Sequence, residues 1–385
     1  MEKLSSADLV SLIQSVFPRH PDDKFLGILV DIPQHSHQDG RQWQERRKLA
    51  FEWFCALRKN LNAVPLEGVR LIAYPDVGSN NADLPEQAVL IKDHLPEAAG
   101  GLDQCGEKVL FEDVFKETQL FLAPTEFSTT APLKNAARRF GFRAATMPGF
   151  SSEMVPALKI DYGQVSRRVS LLKEKLDRAE WADVRFLVDS LRGEFKVLFD
   201  LRFRTAHAST GRFPDQRTAG NLPSGEAYIV PYEGERNEWS RTEGVLPVQT
   251  GDDLVLFSIV ENRAVHADGE GESARLEREH LRKEPAYGNM AELGFGVLED
   301  FGLQPIGEIL LDEKLGFHVA FGRSEHFGGA VGPKDFSSPQ EVIHLDRIYI
   351  PATQPRISVK SIVFGYPENQ KEQVLANGKY LIFES

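Results

Sequence analysis

The chain has 385 residues, of which 41% are hydrophobic and 26% charged, a globular balance with apolar material for two domain-sized cores. A formal charge of -12 repels phosphate backbones, so nucleic acid is not an expected partner, and no apolar run approaches the ~20 residues that cross a bilayer. The two cysteines, Cys55 and Cys105, form no C-x-x-C pair, which fits a reducing, cytoplasmic setting.

The opening stretch Met1–Phe17 carries an amphipathic pattern rather than the apolar core of a secretion signal. Phe25–Ile32 reads as a buried strand, and Gln42–Leu61 as a long amphipathic helix. Within that helix Trp43, Trp53 and Cys55 are expected in the core, and Arg46-Arg47-Lys48 on an exposed face. Val69–Tyr74 and Leu120–Ala123 are further strands. Thr125–Thr130 is a polar loop, Lys134–Phe140 a helix, Arg143–Thr146 a strand and Val165–Ala179 a helix. This alternation predicts a mostly parallel sheet covered by helices.

From about Val184 the texture changes to strands with turn punctuation. The expected strands are Val184–Val188, Phe195–Phe203, Ala227–Val230, Leu254–Ile259, Phe317–Phe321, Val342–Tyr349, Ile357–Val363 and Tyr380–Phe383. Residues 261–280 are polar and read as an exposed hairpin or loop. The expectation is an α/β domain over residues 1–185, with a mostly parallel sheet, and a β-rich α+β domain over residues 186–385 that carries a metal site.

The chemistry concentrates in the second half. In VIHLDRIYI, strand alternation puts His344 and Asp346 on one face, where imidazole and carboxylate can converge on one cation. His318 is the only polar side chain of the strand-like FHVAFG. Glu292 sits in the apolar, glycine-rich AELGFG, and Glu226 follows the tight turn GNLPSG. A buried carboxylate is costly unless it is paired or holds a cation, so these segments together suggest one shared site. Five ligands, three of them carboxylates, exceed what one tetrahedral zinc needs, which makes two divalent ions the expectation. Zinc, cobalt, manganese and iron all suit such donors.

These segments resemble the aminopeptidase T family of metallopeptidases, with thermophilic and staphylococcal members. That family carries G-N-x-P-x-G-E, A-E-L-G, H-x-A-x-G and H-x-D segments. They match Gly220–Glu226, Ala291–Gly294, His318–Gly322 and His344–Asp346, in the same order. Ser128-Thr129-Thr130, Ala136-Ala137-Arg138, Met147-Pro148-Gly149 and Asp161-Tyr162 are similar to its N-terminal domain, so the likeness covers most of the chain after about residue 110. The resemblance implies a cation-dependent exopeptidase that removes N-terminal residues from peptides through a metal-activated water, often as a homodimer. It also implies that Glu226, Glu292, His318, His344 and Asp346 are metal ligands. The family's tyrosine, seven residues after the strand histidine, is here replaced by Glu325, followed by His326. Either residue is a candidate to replace the tyrosine as ligand or proton donor, and Glu226 or Glu325 for proton shuttling to the leaving amine.

Three other readings compete. Dihydroxypyridine dioxygenases resemble the same family, and two histidines with one carboxylate can hold non-haem iron. In that branch a histidine stands at the position of Glu292. His35-Ser36-His37-Gln38-Asp39 is similar to a metallo-β-lactamase-type zinc motif, but Gly40 takes the place of its next histidine. A scaffold that keeps the fold without turnover is the non-enzymatic reading. Gly328–Gly332 lacks the Lys-Ser/Thr of a phosphate loop, and Phe150-Ser151-Ser152 lacks a G-x-S-x-G context.

Overall fold

In a computed structural model that describes residues 3–189 and 193–383, the chain divides into two units. One comprises Met1–Ser166 with Gly211–Ser224, the other Arg167–Thr210 with Gly225–Ser385. Residue 185, near which the sequence changes texture, lies in a strand of the second unit, Trp181–Val188.

The first unit is built on a seven-stranded sheet in the order Thr218–Asn221, Arg143–Pro148, Leu120–Thr125, Phe25–Ile32, Gly68–Pro75, Gln87–Ile91, Gly106–Leu110. The first five are mutually parallel; Gln87–Ile91 runs antiparallel to them, and Gly106–Leu110, antiparallel to it, runs with them again. The continuous apolar runs occupy the centre: Leu120–Thr125 is buried throughout, and Phe25–Ile32 beyond its first residue. A capping box between Ser5 and Asp8 starts the helix Ser6–Val16, which buries Leu9, Leu12, Ile13 and Val16. In the helix Arg41–Lys59, Trp53 is in the core as expected, while Trp43 and Cys55 are only half-buried.

Arg46 and Arg47 overturn the expectation of an exposed basic face, because both are buried. Arg46 donates to the Phe150 carbonyl at 3.0 Å and to the Glu126 carboxylate. Arg47 donates to both oxygens of Asp39. The charge of Arg46 is matched by an acid 80 residues away, and that of Arg47 by Asp39 just before the helix, neither of which the local run of bases reveals.

The second unit holds two antiparallel sheets. The larger runs Arg263–Asp268, Asp253–Val260, Glu243–Thr250, Gly193–Asp200, Trp181–Val188, Ile357–Gly365, Lys371–Ala376, Lys379–Tyr380. The smaller runs His344–Ile348, Phe317–Gly322, Met290–Gly296, Glu226–Ile229, His207–Ser209. Residues 261–280 are not a loop or an isolated hairpin. They form the strand Arg263–Asp268 and most of the helix Glu272–Lys283. The helix buries Ala274 and Glu277, and Glu277 accepts from Tyr287 Oη at 2.7 Å and Arg347 at 2.7 Å. A charged residue on the inner face masks the helical period. The expected strand Phe195–Phe203 ends at Asp200, whose carboxylate accepts from the side chain of Arg202 and the backbone of Arg241. The expected strand Tyr380–Phe383 is only Lys379–Tyr380.

Candidate metal centre

The smaller sheet collects all five candidate ligands through its register. Glu292 lies opposite Ala320, which lies opposite Asp346; His318 lies opposite Gly294, and His344 opposite Gly322. A register shift between Met290 and Glu292 brings Glu292 into that row. Glu226 lies opposite Gly296, so alternation puts the five side chains on one face. Between them stand glycine and alanine, which leave the face concave. At Gly294 the reason is steric: a Cβ there would lie 1.9 Å from His318 Nε2, so only glycine lets the imidazole cross the neighbouring strand.

The ligand atoms form two overlapping groups. Glu226, Glu292 and His318 offer atoms within 4.8 Å of one another, as do Glu292, His344 and Asp346. Glu292 belongs to both: Oε1 lies 3.5 Å from His318 Nε2, and Oε2 lies 3.1 Å from His344 Nε2. Glu226 Oε2 is 3.6 Å from His318 Nε2, and Asp346 Oδ1 is 3.7 Å from His344 Nε2. The other ring nitrogens face the backbone, His344 Nδ1 at 2.8 Å from the Arg323 carbonyl and His318 Nδ1 at 3.3 Å from that of Gly316. Such anchors orient both Nε2 atoms towards the carboxylates. The His318 side chain is 1% exposed and that of His344 21%, so the site opens at the His344 end.

Charge crowding is the dominant electrostatic fact. Burial alone would lower the imidazole pKa values, but the carboxylates outweigh it and lift His318 to about 10 and His344 to about 9. Burial pushes Glu226 and Asp346 up. Burial also acts upward on Glu292, where hydrogen bonds from the two histidines prevail and hold it well below the usual carboxylate range.

These residues fit a divalent cation. The donors mix carboxylate and imidazole, their free atoms converge, and Glu226 Oε2 is a buried acceptor with no hydrogen-bond donor. The two candidates at the missing tyrosine part company. The Glu325 side chain is 45% exposed and accepts from Arg323 Nε at 2.7 Å. The His326 ring packs 3.9 Å from Phe327 and 5.2 Å from His344, centroid to centroid, and burial lowers its pKa to about 4. Phe327 also meets His344 and Tyr228, and Tyr228 stacks on His207, giving the open end an aromatic wall.

Lys314 escapes sequence reasoning. It is buried, and its ammonium lies 2.6 Å from Glu226 Oε1 and against Glu313. A lysine inside ILLDEKLGF reads as a solvated turn residue; only its apolar neighbours hint otherwise. Among the described residues, the His35–Asp39 motif joins neither ligand group. His35 and His37 stack in an exposed turn, and Asp39 is bound by Arg47.

No known protein-family model and no curated protein sequence matches the chain. Among solved structures it is similar to 2,5-dihydroxypyridine dioxygenase from Pseudomonas putida KT2440, at 15% identity and a TM-score of 0.60 over 99% of each chain. It is also similar to wild-type AmpT from Thermus thermophilus, an aminopeptidase T, at 13% identity and a TM-score of 0.54 over 98% of this chain and 99% of that one. At these identities the likeness establishes a shared two-unit α/β fold. Among the described residues, no helix is long and apolar enough to cross a membrane.

Proposed function

We propose that this protein is a metal-dependent aminopeptidase that hydrolyses the first peptide bond of peptides. The observation that carries the reading is Glu292, a carboxylate shared by both ligand groups and held by two histidines, flanked by two further carboxylates. That anionic donor set suits a hard-to-borderline divalent ion and hydrolysis. Bound there, the cation supplies Lewis acidity and lowers the pKa of a coordinated water from about 15.7 towards about 7.

The chain's own groups divide the remaining work. His326, neutral at physiological pH, offers an N–H to the carbonyl oxygen as it gains charge. Glu226, its carboxyl pushed up by burial, takes the water proton and passes it to the leaving amine. Glu325 is unsuited to that role, because its carboxylate faces solvent and is bound by Arg323. Water and peptide thus become a free amino acid and a shortened peptide.

A second reading has its own support, namely the likeness to a ring-cleaving dioxygenase together with the His344–Asp346 pair. One experiment separates the two. Protein reconstituted with zinc, cobalt or manganese is given aminoacyl and dipeptide substrates, and protein with ferrous iron is given an aromatic diol under oxygen. Release of N-terminal residues, lost on chelation, is expected. Oxygen uptake without peptide cleavage would replace the hydrolase with the oxygenase.

A further inference from the structure

The Lys314 ammonium lies where a cation for Glu226 belongs. Its Nζ is 2.6 Å from Glu226 Oε1 and also contacts the Glu313 carboxylate, and the side chain is 2% exposed. It cannot swing to solvent without unpacking the segment that carries it. The Lys314 backbone accepts from Leu298 N–H at 2.8 Å, and its N–H donates to the Leu311 carbonyl at 3.0 Å. Gly296 presses so close that a Cβ there would lie 2.3 Å from the Lys314 carbonyl carbon. Leu311 and Leu315 on either side are buried. The positive charge is therefore part of the fold.

We propose that Lys314 serves as a built-in second cation, so that the centre takes one divalent ion, on Glu292, His344 and Asp346, instead of two. An ion at about 2.0–2.2 Å from Glu226 Oε2 would face an ammonium fixed on the other oxygen of the same carboxylate. Two cations that close, on one buried carboxylate, repel strongly. At the His344–Asp346 end no lysine or arginine is paired to the carboxylates among the described residues. Glu226, relieved of ligation, is left as an acid–base group polarised by Lys314. The inference rests on the metal-centre reading above and deepens it.

The test counts ions on the full chain. Chelator-stripped protein is loaded with zinc, freed of excess by gel filtration, and its metal measured against a His344→Ala/Asp346→Asn double variant as the blank. One equivalent is expected for the wild type, two for Lys314→Met, and one for Glu226→Gln. Two equivalents in the wild type would overturn the built-in cation while leaving the aminopeptidase reading intact. None would overturn both. One equivalent in wild type and Lys314→Met alike would show that the ammonium does not exclude the second ion. Should Lys314→Met fail to fold, Glu226→Gln decides, since loss of its zinc places the ion on Glu226 and refutes the proposal.

Discussion

Each unit buries a cluster of charge, and the two clusters are built differently. In the parallel-sheet unit, Asp31 accepts the backbone N–H groups of Glu126 at 2.8 Å and Phe127 at 3.2 Å. Asp76 accepts those of Gln34 at 2.8 Å and Gly78 at 3.0 Å, and Arg46 answers Glu126. Every donor there is an amide or a guanidinium, whose proton cannot leave. In the antiparallel unit the carboxylates face imidazole Nε2 atoms, which hold a proton or a lone pair as conditions dictate. The first cluster is a finished structure. The second has partners that a metal ion can replace, and that exchangeability, rather than burial or charge, marks it as a site.

The sharpest way to break the contrast is to remove one member from each cluster. His344→Ala or Asp346→Asn should abolish zinc uptake and peptide hydrolysis while circular dichroism stays that of the wild type. Retained turnover would place the chemistry elsewhere. Arg46→Met should do the reverse, costing about 3–5 kcal/mol by leaving the buried Asp31 without its neighbouring positive charge and the half-buried Glu126 without its partner, visible as a lower denaturant midpoint, with zinc stoichiometry unchanged. If Arg46→Met instead released zinc, the two clusters would not be independent.

Much of the second cluster was legible beforehand because strand alternation is a strict rule. His344 and Asp346 two apart, and His318 alone among apolar neighbours, can only face one way in a buried sheet. The parallel sheet was legible for a similar reason, since FLGILVDI and LFLA are too continuously apolar for anything but a central position. What stayed hidden depends on distant partners. Arg46 looks solvated until Glu126 and Phe150 arrive, and Lys314 until Glu226 does. The helix Glu272–Lys283 was missed because its inner face carries Glu277, answered by Tyr287 and Arg347. The strand Met290–Gly296 carries Glu292 through a register shift that no periodicity reports.

The imidazoles of the second cluster should also titrate apart from Asp31, although Glu226, raised to about 7 by burial, titrates alongside it. Asp31 is raised to about 7, chiefly by burial. A raised carboxyl contributes stability that is complete below its unfolded value near 3.8 and is lost as pH climbs through about 7. His344 and His318 are raised to about 9 and about 10. Their contribution is complete below about 6.5 and is lost as pH rises through those values. Zinc-free protein should therefore lose stability in two stages, each of roughly 1–3 kcal/mol, the later one reduced in His344→Ala, which leaves His318 to titrate. Zinc should offset the His344 part of that later stage, since an ion on His344 needs that imidazole unprotonated and gains affinity over the same range. Denaturant midpoints between pH 5 and 10, with and without zinc, give the comparison. A zinc-free midpoint that rises above pH 7 would refute the assignment.

The smallest effect expected is at Glu325, and its smallness is informative. The residue stands where the resembling family has its tyrosine, so by position alone it should act in the site. By geometry it should not, because its carboxylate points to solvent and is held by Arg323 at 2.7 Å, below the usual carboxylate pKa, while the neighbouring His326 ring turns towards His344. An exposed pair of this kind contributes about 0–1 kcal/mol. Glu325→Gln should shift stability by no more than that and change turnover less than about twofold, whereas His326→Ala, which removes the proposed oxyanion donor, should cost roughly a hundredfold in kcat. A Glu325→Gln enzyme as impaired as His326→Ala would mean that the turn Glu325–Phe327 rearranges when substrate binds and that position in the chain, rather than the resting geometry, names the proton donor.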